Sequence, residues 1–129
     1  MKKQCFSIGL FLVVATISAY AQTSLKELIL NKDLKIEKLI VKNEDISYTL
    51  GSVSISEQFW HEFDRDGKEI GKASVQEFTD SKIRIKWIFS DNGADVGDVT
   101  IYSYEKSDGK MIFNIHYDDE EQGFFEAML

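Results

Sequence analysis

Between Lys82 and Ser90, Ile83, Ile85, Trp87 and Phe89 fall on one parity, and Arg84, Lys86 and Ser90 on the other. A period of two sends the two sets to opposite faces of a strand, and this is the clearest strand in the chain. Weaker versions recur on both sides of it. Phe59–Phe63 is a compact aromatic strand, and Asp64-Arg65-Asp66-Gly67 after it is a turn, because Asp-Gly supplies the positive-φ positions that a hairpin needs. Ile70–Phe78 returns as a strand weakened by Gly71, and Thr79-Asp80-Ser81 turns into the Lys82 strand. A longer loop, Asp91 to Gly97, leads to a strand over Asp98–Lys106.

Asp108-Gly109 then predicts a hairpin onto Lys110–Asp118, with a register that follows from the turn. With two turn residues, Tyr104 faces Phe113 and Tyr102 faces Ile115 on one side. Ile101 faces His116 and Ser103 faces Asn114 on the other. The aromatics gather on the first side, which marks it as core.

Nearer the start, Ser24 and Glu27 have the spacing of a capping box, and Leu25, Leu28 and Ile29 follow at helical intervals. A short helix is expected there, stopping at Asn31-Lys32-Asp33. Leu34–Val41 fits neither period cleanly and is read as a strand, because Ile and Val crowd its end. Ile46, Tyr48 and Leu50 alternate as a further strand. The phase slips at Gly51-Ser52, as at a bulge or bend, and resumes at Val53 and Ile55. Phe124-Phe125 and Met128-Leu129 follow an acidic run, Asp118 to Glu121, and read as a closing strand or helix turn.

These elements predict a mainly β fold: an antiparallel sandwich or small barrel of six to eight strands with a short N-terminal helix. The competing fold is an α+β roll, with the helix packed on a curved antiparallel sheet. The Phe-Trp-x-x-Phe-x-x-Asp-Gly pattern over Phe59–Gly67 resembles strands of lipocalin-like domains; it is one hairpin, and no family is assigned from it.

The first residues belong to a different kind of segment. Lys2 and Lys3 precede an apolar run from Phe6 to Ser18, and Ala19-Tyr20-Ala21 is a small-x-small cleavage site before Gln22. That is the layout of a secretory signal peptide, so residues 1–21 are expected to direct export to the periplasm or beyond. The apolar run falls short of the about 20 residues that a membrane-spanning helix needs, and no membrane insertion is expected after cleavage. Cys5 stands ahead of the run rather than at the cleavage point, which argues against a lipid anchor. Residues 22–129 then form a single β-rich domain.

Without Lys2 and Lys3 the basic residues fall from 15 to 13 against 22 acidic ones, and the formal charge moves from −7 to −9. Such a field disfavours nucleic acid and anionic lipid as partners. Cys5 is the single cysteine, so the mature chain has no thiol for a disulfide, for catalysis or for a metal.

His61 and His116 are the two histidines, and Asp118 stands two residues from His116. With His61 or Glu62 brought near, these residues would assemble a transition-metal site or an acid–base pair. Asp91, Asp95 and Asp98 surround glycines in a loop of the kind calcium favours, but without the EF-hand spacing. No nucleophile elbow, phosphate loop or dinucleotide fingerprint is present.

The aromatic load is the more suggestive feature. Trp60 falls on the face opposite Phe59 and Phe63, so both faces of one strand carry apolar rings and one of them needs cover. The leading expectation is an exported, non-enzymatic binding module for a small apolar ligand or a protein partner, with Trp60, Trp87, Tyr102 and Tyr104 making the contacts and no cofactor required. One alternative is a metal-dependent or acid–base enzyme built on His61, His116 and Asp118. The other is a structural or inhibitory protein that acts through its surface.

Overall fold

A computed structural model describes residues 24–129 as a closed antiparallel barrel. The signal-peptide reading and Cys5 lie outside the described residues. The helix is α1 (Leu25–Ile29), and the strands are β1 (Asp33–Val41), β2 (Glu44–Asp45), β3 (Ser52–Ile55), β4 (Phe59–Phe63), β5 (Glu69–Phe78), β6 (Lys82–Ser90), β7 (Val99–Ser107), β8 (Lys110–Tyr117) and β9 (Glu120–Met128). Strands β1 and β3 to β9 pair in chain order, and β9 returns to β1 from Lys35↔Met128 to Val41↔Gly123. This is the barrel alternative; the sandwich and the roll are not formed. Closure leaves none of the eight strands as a free edge. The two-residue β2 only extends β1 at its upper end.

Turn chemistry explains why the chain meanders. Lys42-Asn43, Asp108-Gly109 and Asp118-Asp119 each place two successive residues at positive φ, the geometry of tight two-residue hairpins. Only the second carries a glycine. Its register is the one the sequence predicts, with Tyr104 opposite Phe113 and Tyr102 opposite Ile115. The first and third are carried by Lys, Asn and Asp, so the acidic run holds a turn and the chain's end is a strand rather than a helix turn.

One predicted strand is absent. Ile46, Tyr48 and Leu50 do not form a continuous strand; Ser47–Thr49 is a 3-10 turn between β2 and β3. Asp45 accepts both the backbone N–H and the hydroxyl of Ser47, and this local bonding competes with a ladder. The Ser47 hydroxyl in turn accepts from the Leu39 N–H at 2.9 Å, which folds the segment back over β1. Phe89 also departs from its expected row: Ile83, Ile85 and Trp87 are buried, whereas Phe89 is 37 % exposed at the upper end of β6.

The barrel's lower end is shut. Ser24 caps α1 by accepting from the Glu27 N–H, and Ile29 is fully buried beneath the strands. Lys26 ties the helix down, its N–H donating to Asp80 and its ammonium 3.0 Å from Glu57. Above Ile29, the interior is packed with rings. Trp60 stacks on Tyr102 at 4.4 Å, and Phe113 stacks on Phe125 at 4.5 Å and on Tyr104 at 5.4 Å.

Closure depends on a close approach of β9 to β1. The register slips between Ile115 and His116, leaving Gln122 as an extra residue beside Gly123. A Cβ on Gly123 would collide with the carbonyl oxygen of Ile40. Gly123→Ala is therefore expected to destabilise the fold by about 3 kcal/mol, whereas exposed Glu121→Ala stays within about 0.5 kcal/mol. Urea denaturation of the two variants checks this, and equal midpoints would remove Gly123 from the closure argument.

Candidate functional site at the upper end of the barrel

Strand β4 alternates outward Phe59, His61 and Phe63 with inward Trp60 and Glu62. An inward glutamate is costly, because burial strips a carboxylate of water. Glu62 is only 7 % exposed. The Trp60 indole N–H donates to its Oε2 at 3.1 Å, which satisfies one oxygen. The other, Oε1, has no hydrogen-bond donor among the described residues.

Gly71 stands opposite Glu62 on β5. A Cβ there would lie 3.2 Å from Glu62 Oε1 and 3.0 Å from the Trp87 ring, so glycine leaves the room both side chains occupy. The Trp87 indole is satisfied separately, donating to the Thr100 hydroxyl at 2.9 Å. Tyr102 is 4 % exposed, and its ring covers Trp60.

Above this floor the barrel is not filled. A cavity of about 320 Å³ is lined by Leu39, Val41, Ile46, Leu50, Ile115 and Phe125, with Glu62, Tyr102, Thr49 and Asn92 as its polar members. A second of about 270 Å³ adjoins it towards Trp87, Thr100 and Tyr117. The two share Val41, Glu62, Asn92, Tyr102 and Ile115, so they form one branched recess. Asn92 and Gly93 reach the recess from the loop between β6 and β7. A larger hollow of about 560 Å³ lies on the outer wall between β1 and the Asp64–Gly67 turn, with Lys35, Glu37, Asp64 and Arg65 in its lining. It lacks the buried, convergent polar groups of the interior recess.

Burial pushes the Glu62 carboxyl up from its ordinary 4.5 to about 7, against the smaller opposing effect of the Trp60 hydrogen bond. Burial also holds the Tyr102 hydroxyl well above its usual range, and the Glu62 charge adds to this.

Of the four aromatic residues expected to contact a ligand, Trp87 and Tyr102 line the recess. Trp60 and Tyr104 do not. Trp60 is fully buried beneath Tyr102, so it is the core ring of β4, while Phe59 and Phe63 are half-buried on the outer wall. Tyr104 points towards the closed end, where its hydroxyl donates to the Thr79 carbonyl.

The histidines do not meet. His61 faces outward on β4, with Nδ1 3.5 Å from a Glu69 oxygen. His116 lies on β8 with Nε2 3.3 Å from the Ser103 hydroxyl. β4 and β8 stand four strands apart in either direction around the barrel, so its body separates the two rings. Asp118 sits in the β8–β9 turn at positive φ, out of the strand alternation that would have aligned it with His116.

Asp91, Asp95 and Asp98 lie in the β6–β7 loop, where Asp98 Oδ2 accepts from the Asp95 N–H at 2.8 Å. That backbone bond, followed by the Tyr117 side chain, holds the Asp98 carboxyl below its usual range. Among the described residues no group of three or more His, Cys, Asp and Glu is arranged to hold a metal ion.

Glu62 is the residue that sequence reasoning undervalued, naming it only as a substitute ligand for His61. The alternation of β4 held the signal: once Trp60 points inward, Glu62 must also. No protein-family model, curated protein or solved structure matches this chain.

Proposed function

We propose that this chain is an exported, non-enzymatic binding module that takes a small, largely apolar ligand into the upper end of its barrel. The observation that carries this reading is the branched recess, which has apolar walls and a floor of convergent polar groups at Glu62 and Tyr102. An eight-stranded barrel has an interior sized either for side chains alone or for one small ligand. Here the lower part is filled by stacked rings and the upper part is open. Recesses of roughly 300 Å³ and more with a few placed polar groups are the usual form of small-molecule sites. Export follows from the reading of residues 1–21 as a signal peptide.

A protein partner at the same end is the second reading. Tyr48 is 75 % and Val96 77 % exposed; Tyr48 lies in the 3-10 turn whose Thr49 lines the recess, and Val96 in the loop that supplies Asn92. Exposed apolar side chains at a rim suit a docking partner as well as an entering ligand.

The neutral fluorescent probe N-phenyl-1-naphthylamine separates the two. Saturable binding with a Kd on the order of 10 µM is expected for a ligand of this size in an apolar site. Ile115→Trp, which fills the recess, is expected to weaken it by about tenfold or more, equal to about 1.4 kcal/mol. Ile112→Trp, on the outer face of the same strand, is expected to leave it unchanged. Absence of saturable binding, or equal loss in both variants, would overturn the ligand reading.

A further inference from the structure

We propose that the recess selects an apolar molecule bearing one protonated amine, with the ammonium paired to Glu62 and the hydrocarbon body against Leu39, Ile115 and Phe125. This deepens the ligand reading above and rests on it. The inference starts from Glu62 itself, more than nine-tenths buried, lining both branches of the recess, and with no donor to Oε1 among the described residues. A buried carboxylate is ordinarily paired within the protein, because an unpaired one is expensive. Here the 320 Å³ branch has no basic residue in its lining. Among the described residues, the one hydrogen bond Glu62 receives comes from a neutral indole. A ligand cation supplies the missing partner.

The surroundings argue against the other head groups. Every titratable or charged group facing this space can be named: Tyr102 from β7, Tyr117 from β8, Asp98 from the β6–β7 loop, and Lys42 from the β1–β2 turn. Gly71 and Trp87, from β5 and β6, bring no charge. Lys42 sits at the rim of the adjoining branch and is not among the groups that shift Glu62. Asp98 keeps its negative charge beside Tyr117. Asp98, like Lys42, is not among the groups that shift Glu62, and a carboxylate head at the floor would face the Glu62 charge, which repels it. An alcohol would satisfy Oε1 with a hydrogen bond but leave the charge uncompensated. An ammonium does both.

The test compares octylamine, octanol and octanoate, which share one chain length and differ in the head. Titration calorimetry at pH 8 is expected to give octylamine about tenfold or more tighter than octanol, because only the amine brings a positive charge to the carboxylate, with octanoate weakest. The preference for the amine is expected to shrink to about threefold or less at pH 5, where Glu62 is protonated while an alkylamine stays charged. Glu62→Gln is expected to abolish the preference at pH 8 and to keep N-phenyl-1-naphthylamine affinity within about twofold, which shows that the recess itself survives. Octanol binding as tightly as octylamine at pH 8, or a preference unchanged in Glu62→Gln, would overturn the amine assignment while the apolar cavity stands. If none of the three binds, the cavity reading falls with it.

Discussion

Trp60→Ala is expected to be the most damaging single substitution in the barrel. The side chain is fully buried, stacks on Tyr102 at 4.4 Å and meets Phe113 and Phe125 edge-on at 6.3 and 6.1 Å. Truncating a buried tryptophan costs about 3–5 kcal/mol through lost contacts and the cavity left behind. A second loss adds to it. The indole N–H is the one donor to Glu62 among the described residues, and a buried carboxylate deprived of it costs a further 1–3 kcal/mol or so. Since whole domains are stable by only about 5–15 kcal/mol, the alanine variant is expected to be largely unfolded near neutral pH. Trp60→Phe separates the two contributions. It keeps most of the ring packing and loses the donor, so its cost is expected to be about 1–3 kcal/mol and larger at pH 8 than at pH 5. Urea denaturation followed by circular dichroism reads both variants. A stable, cooperative Trp60→Ala would mean that the ring cluster does not hold the barrel together.

The second large effect has the opposite sign. Glu62 has a folded-state pKa of about 7 against an ordinary 4.5, so between those values the folded chain keeps a proton that the unfolded chain has released. Its contribution to stability is then fully present below about pH 4.5 and is lost as pH rises towards 7. The difference amounts to roughly 3 kcal/mol. Glu62→Gln is expected to remove this loss, making the variant about as stable as the parent at pH 4 and more stable by up to that amount at pH 8. Asp45 and Asp98 are shifted the other way and lose their contributions at low pH, so the informative quantity is the difference between parent and variant at each pH. A difference that does not change from pH 4 to pH 8 would mean that Glu62 is solvated and that the polar floor of the recess is misread.

Much of the fold was legible because local rules and tertiary structure agreed. The alternation in Lys82–Trp87 and the Asp108-Gly109 turn set the inward rows of β6, β7 and β8, including the pairing of Tyr104 with Phe113. The capping box placed the start of α1, which ends at Ile29, two residues before the expected stop at Asn31. The reading failed where the signal was not local. Ile46, Tyr48 and Leu50 mimic a strand, yet the hydrogen bonds among Asp45, Ser47 and Leu39 bend the chain into a turn. The tight turns at Lys42-Asn43 and Asp118-Asp119 lack the glycine that announces one, and the second lies inside an acidic run.

The site was less legible than the fold, and closure is the reason. From the alternation, Trp60 and Glu62 share one face of β4 and His61 the other, but alternation does not say which face is inside. That choice is made when β9 pairs with β1 and the sheet acquires an interior, which turns Trp60 into core and leaves Glu62 as a buried acid. The same closure sets His61 and His116 on opposite sides of the barrel and divides the aromatics between filled and open ends. The sequence by itself determined most of the strands and most of the turns, because period and turn chemistry act over a few residues. Only the tertiary structure decided the interior, the recess and the burial of Glu62, because each depends on contacts between strands distant in sequence.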